Sequence, residues 1–245
     1  MASKTPDPKP RSRKAAAPPA RSRVRLWWRR AWLGVGLAIG LVLAWVALLA
    51  VVNPPRGVYM RAEAHRLGGI SHDWVDWADI APVMARSAVA AEDANFCLHW
   101  GFDVAAIREA LDKGANRGAS TISQQVVKNV FLWQDRTWSR KAAEAVLTPV
   151  VETFWSKRRI LEVYLNIAEF DEGVFGVGAA AAHYFKATPA TLTPVQAARL
   201  AMVLPNPKDR SAARPTESQR RRTAAIVDGA ETIRLDGRST CFEAD

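Results

Sequence analysis

Little in this chain of 245 residues alternates apolar and polar side chains, and no internal repeat is present. Extended half-buried strands and repeat architectures are therefore excluded as its basis. Cysteine is scarce, with Cys97 and Cys241 alone, and the four histidines (His65, His72, His99, His183) are scattered. No Cys/His cluster has metal-ligand spacing, which excludes a structural zinc site. Excess charge is almost absent outside one end. Residues 1–30 contain ten Lys/Arg and the single acid Asp7, so they carry all but about +1 of the net charge of +10. The remainder is nearly neutral, which argues against a nucleic-acid-binding surface.

What is present begins with that tail, rich in Pro, Ala and Arg and too poor in apolar residues to bury a core; it is expected to be disordered. Ala31 to Val52 then holds no charged residue. At ~1.5 Å per residue it spans roughly 33 Å, the hydrocarbon thickness of a bilayer. Trp27, Trp28 and Trp32 sit at its start, where indoles favour the headgroup layer. A cleaved signal peptide would have an apolar region of about 7–15 residues and an A-x-A site after it. Here the run is longer and ends in Val51-Val52-Asn53-Pro54, so the expectation is an uncleaved anchor. Cations precede the span, which predicts a cytoplasmic N-terminus and an exported domain.

After the span, residues 53–73 read as a linker and entry segment, 74–207 as the main folded domain, and 208–245 as a peripheral helix and tail. Helices are expected over Ile80 to Ala91, Val104 to Leu111, from an N-cap at Ser120 to Phe131, and from Trp138 to about Trp155 with Pro149 inside. Further helices are expected from a cap at Ser156 to Ala168, over Ala179 to Phe185, Thr193 to Leu204, and Thr216 to about Arg234. The fold class is mainly α.

The residues that could carry chemistry fall between Ala90 and Asn166. Thr121, Gln125 and Lys128 share one helix face, and Val130-Phe131-Leu132-Trp133 follows beside Arg136. That apolar run fits either a core segment or a lipid-touching surface whose cations meet phosphates. Glu92-Asp93 stands where a helix gives way to a loop, with Phe96 and His99 after it. Each feature has a plainer reading taken singly. Adjacent acids are often solvated or capping, a lone His is often structural, and Glu144 could simply pair with Arg140 at i−4.

Together they match a pattern. Glu92, Asp93, Phe96, His99 and Gly101 fit E-D-x-x-F-x-x-H-x-G, and Gly118 to Asn129 fits G-x-S-T-I-S-Q-Q-x-x-K-N. Arg140, Lys141 and Glu144 fit R-K-x-x-E, and Lys157 to Asn166 fits K-x-x-I-L-E-x-Y-L-N. In order and spacing these segments resemble the family 51 peptidoglycan glycosyltransferases over about Trp74 to Pro207. After Pro207 there is no room for a transpeptidase domain, so the expectation is the monofunctional biosynthetic transglycosylase type.

The resemblance implies a lysozyme-like fold with a small membrane-facing jaw that includes Val130 to Trp138. It implies polymerisation of lipid II into β-1,4 glycan strands, with inversion and release of undecaprenyl diphosphate. Glu92 and Glu144 would be the catalytic carboxylates, Glu92 as general base. Lys128, Arg136 and Arg140 would hold the diphosphate. Asp93, Phe96, His99, Arg117, Ser120, Thr121, Gln125 and Asn129 complete the expected substrate site, Asp93 and His99 by fixing the loop that presents Glu92. Glu144 has two open roles, orienting the cations or holding a divalent ion such as Mg²⁺; no cofactor is obligatory. The implied partners are lipid II, undecaprenyl-diphosphate-linked glycan and the bilayer, with room for other wall-synthesis or division proteins and none for nucleic acid. The implied location is the bacterial inner membrane, single-pass, with the domain in the periplasm. In that oxidising compartment Cys97 and Cys241 could pair, or could stay as two unrelated thiols. Two alternatives remain at this stage: a peptidoglycan hydrolase of similar fold, also a two-carboxylate enzyme, and a non-catalytic wall-assembly scaffold.

Overall fold

The computed structural model describes residues 20–112, 120–135 and 137–243. Two compact units are distinguished, Met1–Ala44 and Trp45–Asp245. Helix α1 (Ala20–Leu49) supplies the described part of the first. Its stretch Val24–Leu49 is long and apolar enough to cross a membrane, and Trp27, Trp28 and Trp32 are exposed at its start. The helix begins before the expected Ala31 and stops at Leu49, three residues short of the apolar run's end.

The second unit is mainly α, as its sequence pattern implies. Its helices are α2 (Val58–Leu67), α3 (Pro82–Glu92), α4 (Val104–Asp112), α5 (Ile122–Phe131), α6 (Trp138–Phe154), α7 (Lys157–Ile167), α8 (Gly176–Phe185), α9 (Pro194–Val203), α10 (Glu217–Leu235) and the short α11 (Thr240–Glu243). Threonine and serine fix most of the starts. Thr121, Thr193 and Thr216 each form a capping box with the Gln three residues on, and Ser156 accepts from the Arg159 amide. These side chains satisfy amide groups that a helix start leaves unpaired. The cap of α5 is thus Thr121 and not Ser120.

Two groups of helices make the core. α5 packs between α6 and α7, while α3, α9 and α10 pack on one another. The apolar stripe of α7, Ile160, Leu161, Tyr164 and Leu165, is fully buried between them. A three-stranded sheet was not expected: β1 (Ser71–His72), β2 (Glu169–Asp171) and β3 (Val174–Phe175), in the order β1-β3-β2. β1 runs parallel to β3 with Ser71 opposite Val174, and β2 is antiparallel to β3. Strands of two or three residues are too short to show alternation. Gly176 closes this segment at φ +82°, and a Cβ there would lie 2.7 Å from the Asn166 carbonyl oxygen.

The start of the second unit is built into its core. Val46 and Leu49 are buried, and Trp155 Nε1 donates to the Val46 carbonyl at 2.7 Å. The Arg159 guanidinium donates to the carbonyls of Leu49 and Val52 and to Asn53 Oδ1, and lies 5.6 Å from the Trp74 ring.

Candidate active site

α3 ends at Glu92, and the next residue turns the chain. Asp93 is buried, with Oδ1 2.8 Å from His99 Nε2 and Oδ2 accepting from the Ile122 amide at 3.0 Å. One carboxylate therefore ties the end of α3 to the first turn of α5, where unpaired amides favour an anion. Thr121 Oγ1 donates to the Gly101 carbonyl at 2.7 Å. Gly101 sits at φ +84°, with room for no Cβ because Thr148 would be 2.6 Å away. Lys157 Nζ donates to the His99 carbonyl and to Glu152 Oε1, each at 2.8 Å, and stands 4.4 Å from the centre of the Phe96 ring. Ser123 Oγ donates to the same Glu152 oxygen at 2.5 Å. From Asp93 to Gly101 the loop is fixed from within by buried polar partners.

Held by this loop, the Glu92 side chain faces Gln125, whose Nε2 donates to Glu92 Oε2 at 2.9 Å. The amide is oriented by Tyr164, whose hydroxyl donates to Gln125 Oε1 at 3.4 Å. Burial pushes the Glu92 carboxyl above the usual carboxylate range, against the pull of Gln125 and of the charges on Arg222 and Arg210. The same burial drives the Tyr164 hydroxyl well up, so it stays a donor. Glu92 and Lys128 line one cleft of about 910 Å³, with Ser120, Gln125, Arg210 and Arg222 around it. A smaller cavity of about 220 Å³ lies across Gln125 and Lys128, lined by Tyr59, Asn129, Gln134 and Glu169. Burial pulls the Lys128 ammonium below its usual range, the Glu144 charge raises it, and Arg140 and Lys141 lower it further.

Glu144 is 3% exposed. Arg140 Nη1 donates to its Oε2 at 2.6 Å and Lys141 Nζ to its Oε1, while Arg140 Nε reaches the Asp135 carbonyl at 2.5 Å. Both carboxylate oxygens already accept from cations. Among the described residues no group of three His, Cys, Asp or Glu side chains comes together. This donor set does not fit Mg²⁺, a hard cation that needs oxygen ligands free of competing positive charge. It fits the first of the two open roles, a carboxylate that orients cations.

Thr121 and Phe96, expected at the substrate, lie elsewhere, while Asp93 and His99 take part in the loop itself. Asp93 and Thr121 are buried in the loop's internal bonding, Phe96 is fully buried in the core, and the His99 side chain is 8% exposed. They shape the loop and do not face the cleft. Gln125 and Lys128 do, and so does Ser120; Asn129 faces the smaller cavity and accepts from Gln134 Nε2 at 2.9 Å. Arg117 and Arg136 lie outside the described residues. In the apolar run, Leu132 is buried and Phe131 packs against Trp155 with ring centres 6.1 Å apart, whereas Trp133 and Trp138 point outward at 42% and 91% exposure.

Two site residues escaped the sequence reading. Arg210 and Arg222 stand on the segment expected at the periphery, yet α10 packs on α3 and α9, and both arginines line the cleft that holds Glu92. Arg222 Nη2 donates to the Ala91 carbonyl at 3.0 Å, and Arg210 Nη1 to the Met202 carbonyl at 2.8 Å. The only signal was the run Arg220-Arg221-Arg222, which a solvated helix explains equally well. Finally, Cys97 and Cys241 are joined in a disulfide, Cα atoms 5.6 Å apart.

Residues 61–231 match the family described as Transglycosylase. A protein named biosynthetic peptidoglycan transglycosylase from Jannaschia sp. (strain CCS1) is 54% identical over 237 residues, 95% of this chain and 98% of the relative. One of the same name from Xanthomonas campestris pv. campestris (strain B100) is 46% identical over 226 residues, 87% of this chain and 90% of the relative. Another, from Salmonella enteritidis PT4 (strain P125109), is 50% identical over 194 residues, 74% and 80% of the two chains.

Proposed function

The chain belongs to the transglycosylase family and is a peptidoglycan glycosyltransferase, and from that premise we propose that it polymerises lipid II, with Glu92 as the general base. In this reading the growing glycan is the donor, held on undecaprenyl diphosphate. Glu92 takes the proton from the 4-hydroxyl of the lipid II GlcNAc as that oxygen attacks the anomeric carbon of the donor MurNAc. The new β-1,4 bond forms with inversion as the bond to the diphosphate oxygen breaks, and undecaprenyl diphosphate leaves.

The observation that carries this reading is a single cleft lined by both the Glu92 carboxyl, with its raised affinity for protons, and the half-buried Lys128 ammonium. A base for a sugar hydroxyl gains from a pKa lifted towards the working pH. The leaving diphosphate gains charge as its bond breaks, and fixed cations stabilise that charge most where water is scarce. Lys128 supplies one cation; Arg140, oriented by Glu144, supplies a guanidinium fork suited to phosphate. Arg210 and Arg222 face the acceptor side of Glu92 in this scheme.

Anchoring by α1 fits a substrate that never leaves the bilayer. The basic residues before it support a cytoplasmic N-terminus and a catalytic domain on the periplasmic side of the inner membrane. Incubation of the full protein with purified lipid II, and separately with polymeric glycan, tests the assignment. Strands made from lipid II with the glycan left intact support it. Breakdown of the glycan would replace it with a hydrolase, and no turnover of either would leave a scaffold.

A further inference from the structure

The catalytic loop is held from outside as well as from within, by a part of the chain beyond the family match, which ends at residue 231. After α10, Gly237 turns the backbone at φ +77° and α11 returns across the loop. Arg238 Nη1 donates to the Ala94 carbonyl at 3.0 Å. Cys241 is bonded to Cys97. Phe242 is fully buried, its ring centre 6.4 Å from those of both Phe96 and Trp77. Ala94, Phe96 and Cys97 all lie within five residues of Glu92. The far side of this strap is tied to the two helix groups. Arg158 Nε donates to the Phe242 carbonyl at 3.2 Å, and Arg86 Nη1 pairs with Glu243 Oε1 at 2.6 Å.

A four-residue helix has no stability of its own, so α11 is ordered only by what it touches. The covalent bond is the contact among these that a reductant removes. We propose that the segment Asp236–Glu243 is a positioning element for Glu92, locked by Cys97–Cys241, so that turnover depends on that bond being oxidised. The proposal rests on the reading of Glu92 as general base. Reduction by a dithiol adds two electrons and two protons, breaks the S–S bond and leaves two thiols, while the dithiol closes to its own disulfide. The loop then keeps its inner hydrogen bonds and loses its outer restraint. The charged groups facing Glu92 are Asp93 on the loop, Lys128 on α5, Arg210, and Arg222 on α10. None of these is touched by the reduction.

The test uses full-length protein in detergent with lipid II, before and after dithiothreitol, with thiols counted by alkylation and folding followed by circular dichroism. Displacement of a reacting group by about an ångström is enough to lower kcat by about 10-fold or more. The expected result is such a fall in kcat, with KM for lipid II changed by less than about 2-fold. The acid limb of kcat should also move to lower pH as water reaches Glu92, and reoxidation should restore both. Cys241→Ser should reproduce the reduced state and ignore the dithiol; if that variant fails to fold, the wild-type arm decides alone. Two alkylatable thiols in untreated denatured protein would overturn the proposal. So would reduced, folded protein with unchanged kcat, or a kcat that falls equally at all pH values with the limb unmoved. Glu92→Gln separates the two readings: turnover by that variant removes the base, whereas an inert Glu92→Gln beside dithiol-insensitive turnover removes the strap only.

Discussion

The side-chain amide of Gln125 donates to Glu92 Oε2 from 2.9 Å, and it opposes the effect of burial on that carboxyl. Burial favours the protonated acid; this hydrogen bond favours the anion. Removing the donor leaves burial less opposed, so Gln125→Leu should lift the Glu92 pKa further. The acid limb of kcat/KM should therefore move to higher pH than in the parent enzyme. A pH series of lipid II polymerisation checks this, and an acid limb that stays in place would detach Gln125 from the base.

Glu92→Gln keeps the shape and loses the basicity. Turnover should fall by at least ~10²-fold. Stability should change in the opposite direction. The folded pKa of Glu92 is raised, so its contribution to stability is full below the unfolded pKa and is lost as pH rises through the folded pKa. Gln mimics the protonated form, so the variant should melt at or above the wild-type temperature at neutral pH. Thermal unfolding beside the polymerisation assay measures both.

Lys128 and Arg140 should separate in the same two measurements. Loss of either should weaken binding of a diphosphate-bearing substrate by about 1.5–3 kcal/mol, and leave a lipid-linked analogue without diphosphate nearly unaffected. The folded pKa of Lys128 is lowered, which means that the fold disfavours its charge; Lys128→Met should leave the melting temperature unchanged or raised. Arg140→Ala takes one of two cations from buried Glu144 and should lower it.

Arg222 lines the same cleft as Glu92, and its charge lowers the proton affinity of that carboxyl. Arg222→Met should therefore shift the acid limb of kcat/KM upward as Gln125→Leu does, and in addition raise KM for lipid II. A raised KM without the pH shift would place Arg222 in substrate binding only.

Trp133, at the end of the apolar run after Lys128, and Trp138, at the start of α6, face outward. A chain beginning at Trp45 should still sediment with liposomes, and Trp133→Ser with Trp138→Ser should abolish that residual binding. Phe131 should not be used for the purpose, because it packs on Trp155 and its loss would disturb the core. A chain from Trp45 that never sediments with lipid would refute the membrane-facing role while leaving the chemistry in place.

What the sequence made legible was local. Helix periods and Thr/Ser caps gave α3 to α10 to within a few residues but missed α2, which lies in the segment read as a linker, and the short α11; motif spacing put Glu92 on α3 and Gln125 and Lys128 on α5. It could not distinguish a motif residue that faces substrate from one that holds another motif residue. Thr121 bonds the Gly101 carbonyl, 20 positions away, and Phe96 is fully buried in the core. Their fixed spacing reports a folding constraint as faithfully as a catalytic one. The cleft's second wall was hidden for a different reason. An arginine-rich helix has the same composition whether its cations meet water or a substrate, and only the packing of α10 on α3 and α9 decides which.

The Arg159 guanidinium draws a boundary that hydropathy places wrongly. It accepts no bonds and gives several, to the carbonyls of Leu49 and Val52 and to Asn53, while Val46 and Leu49 fill the core beneath. Trimming the chain at the end of its apolar run, after Val52, would strip out two core side chains and leave a buried-side arginine and the Trp155 indole facing groups that no longer exist. The soluble enzyme and the membrane anchor thus overlap in sequence. By composition Trp45–Leu49 continue the apolar stretch Val24–Leu49, yet by packing they belong to the catalytic body, so a cut placed by hydropathy alone falls inside that body.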